Sequence, residues 1–121
     1  MKIANKTARI GEQAACRFLQ KEGYKIIERN FRKGYGEIDI IAINEHCLVF
    51  IEVKTRTSDK FGDPLEAITP WKLETLIKTV YFYKKLNSNL PDRLRIDAVS
   101  VRLSQDNKVE SIEHVKNISG F

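Results

Sequence analysis

The spacing of hydrophobic residues predicts two helices and five strands in the order α-β-β-β-α-β-β. Apolar residues recur at helical intervals over Lys6–Glu22, and Gly23 is a natural C-terminal stop for that helix. A second helix is predicted to run to about Leu86, with Thr69 as its N-cap and Pro70 in its first turn. β-Rich runs occupy residues 24–31, 37–43, 48–55, 94–103 and 109–115. The expected fold class is therefore α/β, with a central mixed β-sheet flanked by helices.

Two of these runs form a predicted β-hairpin around a short polar connection. If the turn is Glu45-His46, paired residues have numbers that sum to 91. Asp39 then lies opposite Glu52. In the same register Glu37 lies opposite Lys54. A slip of one residue would leave the two acids as diagonal neighbours only if a bulge preserved their facing.

Composition fits a single domain spanning residues 1–121, with 42% hydrophobic and 31% charged residues. No uncharged apolar run approaches the roughly 18 residues of a membrane span, and the basic N-terminus lacks the apolar stretch of a signal peptide. Cys16 and Cys47 give no disulfide framework, and with His46 and His114 they lack the spacing of a zinc site. These features predict a cytoplasmic protein with no membrane partner.

Positive charge is unevenly distributed along the chain. The net charge is +5, and residues 1–36 contribute nine basic and three acidic residues, a surplus of six. A second basic stretch covers residues 78–102, with six basic residues against Asp92 and Asp97. This distribution is compatible with a nucleic-acid partner, although a charged surface also serves solubility.

The predicted hairpin carries the candidate chemistry. Two carboxylates held opposite each other among Ile, Val and Phe repel each other unless a cation lies between them. Mg²⁺ or Mn²⁺ would fit Asp39 and Glu52, and Lys54 could position or deprotonate an attacking water. The acid-x-Lys pattern is common by chance and recurs at Asp106 and Lys108. The alternative interpretation is a cross-strand ion pair on a solvated sheet face.

Other side chains have weaker claims to a functional role. The aromatic residues Trp71, Tyr81, Phe82 and Tyr83 could stack on bases, but helical spacing favours core positions for them. Four basic residues could contact phosphates and could equally be solvated charges, namely Arg32, Arg56, Lys60 and Lys72.

Several motifs together resemble the YraN family of bacterial proteins over about residues 8–115. They include Gly11-Glu12, Asn30-Phe31-Arg32, the segments 36–42 and 49–56, Phe61-Gly62-Asp63-Pro64 and the segment 95–99. The resemblance implies a restriction-endonuclease-like fold of the PD-(D/E)xK superfamily, similar to archaeal Holliday-junction resolvases.

The resemblance also implies roles for individual residues. Asp39 and Glu52 become the metal carboxylates, Lys54 the catalytic lysine, and Glu12 the acid that a helix brings to the site. We expect the backbone carbonyl of Val53 to add a metal ligand. Glu37 matches a family position to which the resemblance assigns no role. From its spacing alone, Glu12 could equally be an ordinary surface glutamate.

The leading hypothesis is a metal-dependent nuclease acting on DNA, including branched DNA. Resolution of a symmetric junction would need two sites and therefore a homodimer. The alternative hypothesis is a nucleic-acid-binding or partner-docking module that keeps the same fold without catalytic turnover. A scaffold protein that binds no nucleic acid is a third possibility.

Overall fold

Two helices cover opposite faces of a five-stranded mixed sheet. The computed structural model describes residues 5–57 and 68–121. The predicted order of elements is confirmed, and each boundary lies within one residue of its expected position. The elements are α1 (Lys6–Lys21), β1 (Lys25–Phe31), β2 (Ile38–Asn44), β3 (Cys47–Arg56), α2 (Pro70–Leu86), β4 (Arg93–Leu103) and β5 (Val109–Val115). Neither described helix combines the length and the apolar character needed to cross a membrane.

The sheet order follows the chain order, β1-β2-β3-β4-β5. All neighbours are antiparallel except β3 and β4, which are parallel and are connected through α2. Ile40 lies opposite Ile51 and Asn44 opposite Cys47, so the hairpin has the predicted register. The turn residues Glu45 and His46 have φ values of 49° and 67°, which is typical of the tight turns that match strand twist. Strand β4 is an interior strand, as its apolar faces predict.

Alternating side chains of the sheet supply two separate cores. On one face Ile51 and Val53 of β3 pack with the α1 residues Ala15, Cys16 and Leu19. On the other face, β3 and α2 pack together through Leu48, Phe50, Leu76, Val80 and Tyr83. Successive residues of β3 therefore point to different helices. An even-numbered acid on β3, such as Glu52, consequently lies on the α2 side.

Each helix is preceded by an N-cap residue whose side chain accepts hydrogen bonds from the first backbone N–H groups of the helix. The Asn5 Oδ1 atom accepts hydrogen bonds from the N–H groups of Thr7 and Ala8. Thr69 caps α2 in the same way, because its Oγ1 accepts from Lys72 N at 3.1 Å. This cap confirms the predicted start of α2.

Gly11 allows α1 to approach β3 closely. A Cβ atom at this position would lie 2.7 Å from Cγ2 and 2.8 Å from Cβ of Thr55. Both distances are far below van der Waals contact, so any larger residue would push the helix from the sheet. The close approach brings the next residue, Glu12, towards the end of β3.

Replacing Gly11 with Ala is expected to lower the free energy of unfolding by about 1–3 kcal/mol, the usual cost of overpacking. The clash with Thr55 outweighs the gain in helix propensity. Denaturant unfolding would measure the difference, with Gln20→Ala as a control at an exposed position of the same helix. A variant as stable as the wild type would show that α1 can move away from β3 at little cost.

Candidate functional site

Asp39 lies where β2 and β3 begin to separate. Moving away from the hairpin turn, its neighbour Ile40 is the final β2 residue that pairs with β3. Beyond that point the Val53 N–H donates a hydrogen bond to Asp39 Oδ2 at 2.7 Å. The side chain thus replaces a backbone acceptor, and one carboxylate oxygen is held at the opening between the strands.

The Asp39 carboxyl group has an unusual electrostatic environment. Burial, followed by the nearby charge of Glu52, raises its pKa to about 8, although the Val53 N–H opposes the shift. Within residues 5–57 and 68–121, no Lys, Arg or His nitrogen forms an ion pair with this carboxylate. In this part of the chain, the Asp39 charge is offset only through the longer-range attraction of Lys72, whose ion pair is with Glu52.

Glu52 lies next to this group and is paired with two lysines. Its side chain is only 8% exposed, and its Oε2 atom lies 3.3 Å from Lys54 Nζ and 3.4 Å from Lys72 Nζ. Lys72 comes from the first turn of α2, so the cap at Thr69 positions it. Glu52 and Lys54 pair within one strand at a largely buried position, which differs from the cross-strand pair on a solvated face that is the alternative interpretation of the sequence.

The two lysines differ in how readily they lose a proton. Burial lowers the pKa of Lys54, and the neighbouring Lys72 lowers it further, although the charge of Glu52 opposes both effects. For Lys72, burial is outweighed by the contacts with Lys54 and Glu52, which raise its pKa. Lys54 is therefore the lysine more easily converted to a neutral amine, and Lys72 remains the cation.

Two separate clefts flank the C-terminal part of β3. Asp39 and Glu52 line a cleft of about 320 Å³ on the α2 side, together with Trp71 and Lys72. A smaller cleft of about 160 Å³ on the α1 side is lined by residues that include Glu12, Val53, Lys54, Thr55 and Arg56. The end of β3 thus presents Glu52 to one cleft and Val53 to the other.

The other two predicted acids, Glu12 and Glu37, lie near Asp39 and Glu52. Glu12 is partly buried, and its pKa is raised chiefly by that burial, although Arg29 opposes the shift. Its charge also raises the pKa of Asp39, which places it near the carboxylate pair. Glu37 Oε2 accepts a hydrogen bond from Arg32 Nε at 2.6 Å, so Arg32 is engaged at the rim of the larger cleft.

The basic residues predicted to contact phosphates do not all lie beside Asp39 and Glu52. Lys72 lies inside the site, whereas Arg56 lines the smaller cleft. The Arg56 Nε atom is buried and has no hydrogen-bond partner among the described residues. Lys60 and the motif Phe61-Gly62-Asp63-Pro64 lie outside the described residues.

The donor set suits a hard cation that keeps several water ligands. No group of three or more His, Cys, Asp or Glu side chains is arranged to hold a metal ion in the two described segments. The available donors are instead two neighbouring carboxylates, Asp39 and Glu52, and backbone carbonyls. Mg²⁺ is commonly bound by one or two carboxylates plus water and substrate oxygens. The buried position of Asp39 beside Glu52 adds a reason for a cation to bind here, because a cation would favour ionisation of the Asp39 carboxyl.

Two features of the structure were not predicted from sequence. The first is the position of Lys72 and Trp71 beside the carboxylates, which depends on how α2 docks on the sheet. The second is a buried polar network around Asp97 on β4, whose carboxylate contacts Tyr24, Arg95 and His114. An acid flanked by Ile96 and Ala98 within an apolar strand was the available signal for this network.

Comparison with known proteins places the chain in a family. The model of uncharacterised protein family UPF0102 matches residues 11–101. A UPF0102 protein of Syntrophomonas wolfei is 43% identical over 107 residues, which cover 88% of this chain and 91% of the relative. A UPF0102 protein of Cytophaga hutchinsonii is 46% identical over 93 residues, covering 75% of this chain and 80% of the relative. The family resemblance expected from the motifs is thereby confirmed, and the chain belongs to the UPF0102 family, the YraN type.

Proposed function

We propose that this protein is a metal-dependent nuclease of the restriction-endonuclease-like type that hydrolyses phosphodiester bonds. The observation that carries the proposal is the Asp39 carboxylate, which lies beside Glu52 with no ion-pair partner in the described residues. Such an arrangement disfavours the doubly charged state unless a cation is present. A divalent ion would neutralise both groups at once.

Asp39 and Glu52 would hold Mg²⁺ or Mn²⁺, with the carbonyl of Val53 as a further ligand. Glu12, which α1 presents from the other side of β3, would contribute through its charge or as an additional ligand. When bound, the ion supplies Lewis-acid stabilisation of the charge that develops on the phosphate oxygens. The hydrogen bond from Val53 N–H fixes the orientation of the Asp39 carboxylate in advance.

Lys54 and Lys72 would divide the work of proton transfer and charge neutralisation. Hydrolysis forms a bond between a water oxygen and phosphorus and breaks the bond from phosphorus to the leaving sugar oxygen, which takes a proton from solvent. Because its pKa is lowered, Lys54 would give up its proton more readily than Lys72, and we assign it the role of orienting this water and accepting its proton. Lys72, which remains protonated, would neutralise negative charge on the substrate phosphate.

A nucleic-acid substrate is supported by the charge of the chain. Its net charge is +5, and Lys72 and Arg56 lie at the two clefts. Arg32 and Lys60 are proposed as further phosphate contacts. The family resemblance favours DNA, including branched DNA, and cutting both strands of a symmetric junction would require a homodimer.

A cleavage assay would test this function directly. Purified protein is incubated with labelled duplex, single-stranded and four-way-junction DNA in the presence of Mg²⁺, Mn²⁺ or EDTA. We expect cleavage with at least one ion and none with EDTA. We also expect the ion to raise the thermal midpoint, because a ligand that binds only the folded state stabilises it.

If no substrate is cut and neither ion raises the thermal midpoint, the nuclease proposal is wrong. Binding of DNA without cleavage would then favour a binding module of the same fold. Its affinity should fall steeply as salt increases, because most of the interaction would be with phosphates.

A further inference from the structure

Trp71 is exposed at the edge of the cleft that contains the two carboxylates. It is the only tryptophan in the chain, and its side chain is 77% exposed. The same cleft is lined by Asp39, Glu52 and Lys72. A large apolar ring in this position gains little from the protein core, so its surface is available to a ligand.

The docking of α2 explains why Trp71 is exposed. The buried face of this helix consists of Leu76, Val80 and Tyr83 together with Thr79. Trp71 precedes Val80 by nine residues, which places it on the opposite side of the helix at 100° per residue. The expectation that helical spacing puts aromatic residues in the core holds for Tyr83, whereas Trp71 faces the cleft and solvent.

A second exposed aromatic ring is fixed near the same cleft. Tyr35 is 64% exposed, and its ring meets the edge of Phe82 at a centroid distance of 6.4 Å. Gly34 has a φ of 79°, and a Cβ there would lie 2.7 Å from the Phe82 ring. The turn is therefore seated tightly against α2, and Gly36, which follows Tyr35, lines the cleft.

Cationic groups accompany these two rings. Lys78 Nζ lies 6.0 Å from the centroid of the Tyr35 ring, and Lys72 Nζ lies at Glu52 inside the cleft. Exposed rings with adjacent cations are the combination that binds single-stranded nucleic acid, because bases stack on the rings and phosphates pair with the cations. In an intact duplex the faces of the bases are covered by their neighbours and are not available to an indole.

We propose that Trp71 stacks on an unpaired base and that Lys72 and Lys78 contact the phosphates of the same strand. The site therefore takes single-stranded or locally unpaired nucleic acid in preference to continuous duplex. This inference rests on the proposed function for the identity of the polymer. It adds a substrate class and a residue that determines specificity.

Intrinsic fluorescence tests the inference, since Trp71 is the only tryptophan. The protein is titrated in EDTA and low salt with oligothymidylate, with an abasic oligonucleotide of equal length, and with duplex. We expect saturable quenching with oligothymidylate and much less with the abasic strand, whose phosphates are the same. Trp71→Ala should weaken the binding of oligothymidylate roughly 5- to 150-fold. Because this variant has no tryptophan, its binding is measured by the fluorescence anisotropy of a labelled oligonucleotide.

Two further variants control for effects on folding and on general apolar surface. Trp71→Phe keeps a ring and should restore most of the affinity. Tyr81→Ala removes another exposed aromatic residue of α2, which contacts Phe121 and not the cleft, and should bind like the wild type. Equal binding of thymidine and abasic strands, or unchanged affinity in Trp71→Ala, would overturn the stacking proposal.

The outcome separates this inference from the nuclease proposal. Cleavage that depends on the metal ion but not on Trp71 would reject stacking and retain the nuclease. Quenching and Trp71-dependent binding without cleavage under any ion would retain stacking and reject the nuclease.

Discussion

Replacing Asp39 with Asn is expected to lower cleavage by about a hundredfold or more while the protein remains folded. The amide keeps the shape of the side chain, and its oxygen can still accept the hydrogen bond from Val53 N–H. It removes one of two carboxylate charges that hold the ion. A loss of roughly 3 kcal/mol of transition-state stabilisation corresponds to this decrease in rate. Initial cleavage rates of the two proteins at saturating metal would measure it.

The same substitution should preserve or raise the thermal midpoint without metal, because it removes the repulsion between Asp39 and Glu52. Binding of DNA in EDTA should be retained or strengthened. Asp106→Asn makes the same chemical change in the other acid-x-Lys pair, at an exposed position, and should leave cleavage unchanged. If Asp39→Asn unfolds the protein, the Asp39 carboxyl has a structural role and the metal-ligand role proposed for it is wrong.

The sequence predicts the fold well because the periodicity of each element is clear. The two-residue turn also sets the register of the hairpin, and the observed pairing of Ile40 with Ile51 follows from that turn alone. The register places Asp39 and Glu52 close together. These parts depend on local spacing, which is fully contained in the sequence.

Strand β1 shows where local spacing is insufficient. The pairing with β2 shifts between Ile26 and Glu28, and the successive residues Ile27 and Glu28 both lie on the α2 side, where Glu28 accepts a hydrogen bond from a tyrosine of that helix. Asn30 has a φ of 55°, and Phe31 beyond it packs with α2. A bulge and a positive φ reverse which side chains face each helix, and neither has a reliable signal in a single sequence.

The composition of the candidate site depends on contacts between distant elements. Lys72 lies 20 residues after Glu52 in the chain, yet its ammonium group contacts the same carboxylate oxygen as Lys54. That contact results from the docking of α2 through Leu76 and Val80. Periodicity identifies the buried face of a helix, but it does not determine which strand position the first turn will reach.

Replacing Asp97 with Asn is expected to cause a large loss of stability. The Asp97 side chain is fully buried, and its carboxylate contacts Arg95 Nε at 2.8 Å, Arg95 Nη2 at 3.0 Å and His114 Nε2 at 2.8 Å. The N–H of Asn117 and the hydroxyl of Tyr24 also donate to it. An amide offers one acceptor oxygen and turns an NH₂ group towards donors. We expect the free energy of unfolding to fall by about 3–5 kcal/mol, from a total of roughly 5–15 kcal/mol.

The pH dependence of the wild type should identify the charge of Asp97 as the cause. Burial alone would raise the pKa of this carboxyl, but hydrogen bonds from His114, Arg95 and Asn117 outweigh it and lower the pKa. A lowered pKa in the folded state contributes stability that is complete above the unfolded value of about 3.9 and is lost as pH falls through the folded value. The gap in thermal midpoint between wild type and Asp97→Asn should therefore be large at pH 7 and shrink below about pH 4. Asp92→Asn, whose side chain is 97% exposed beside Lys84, should change the midpoint by no more than about 2 °C. A gap that is the same at pH 3 and pH 7 would show that the network is held by its shape and not by the charge of Asp97.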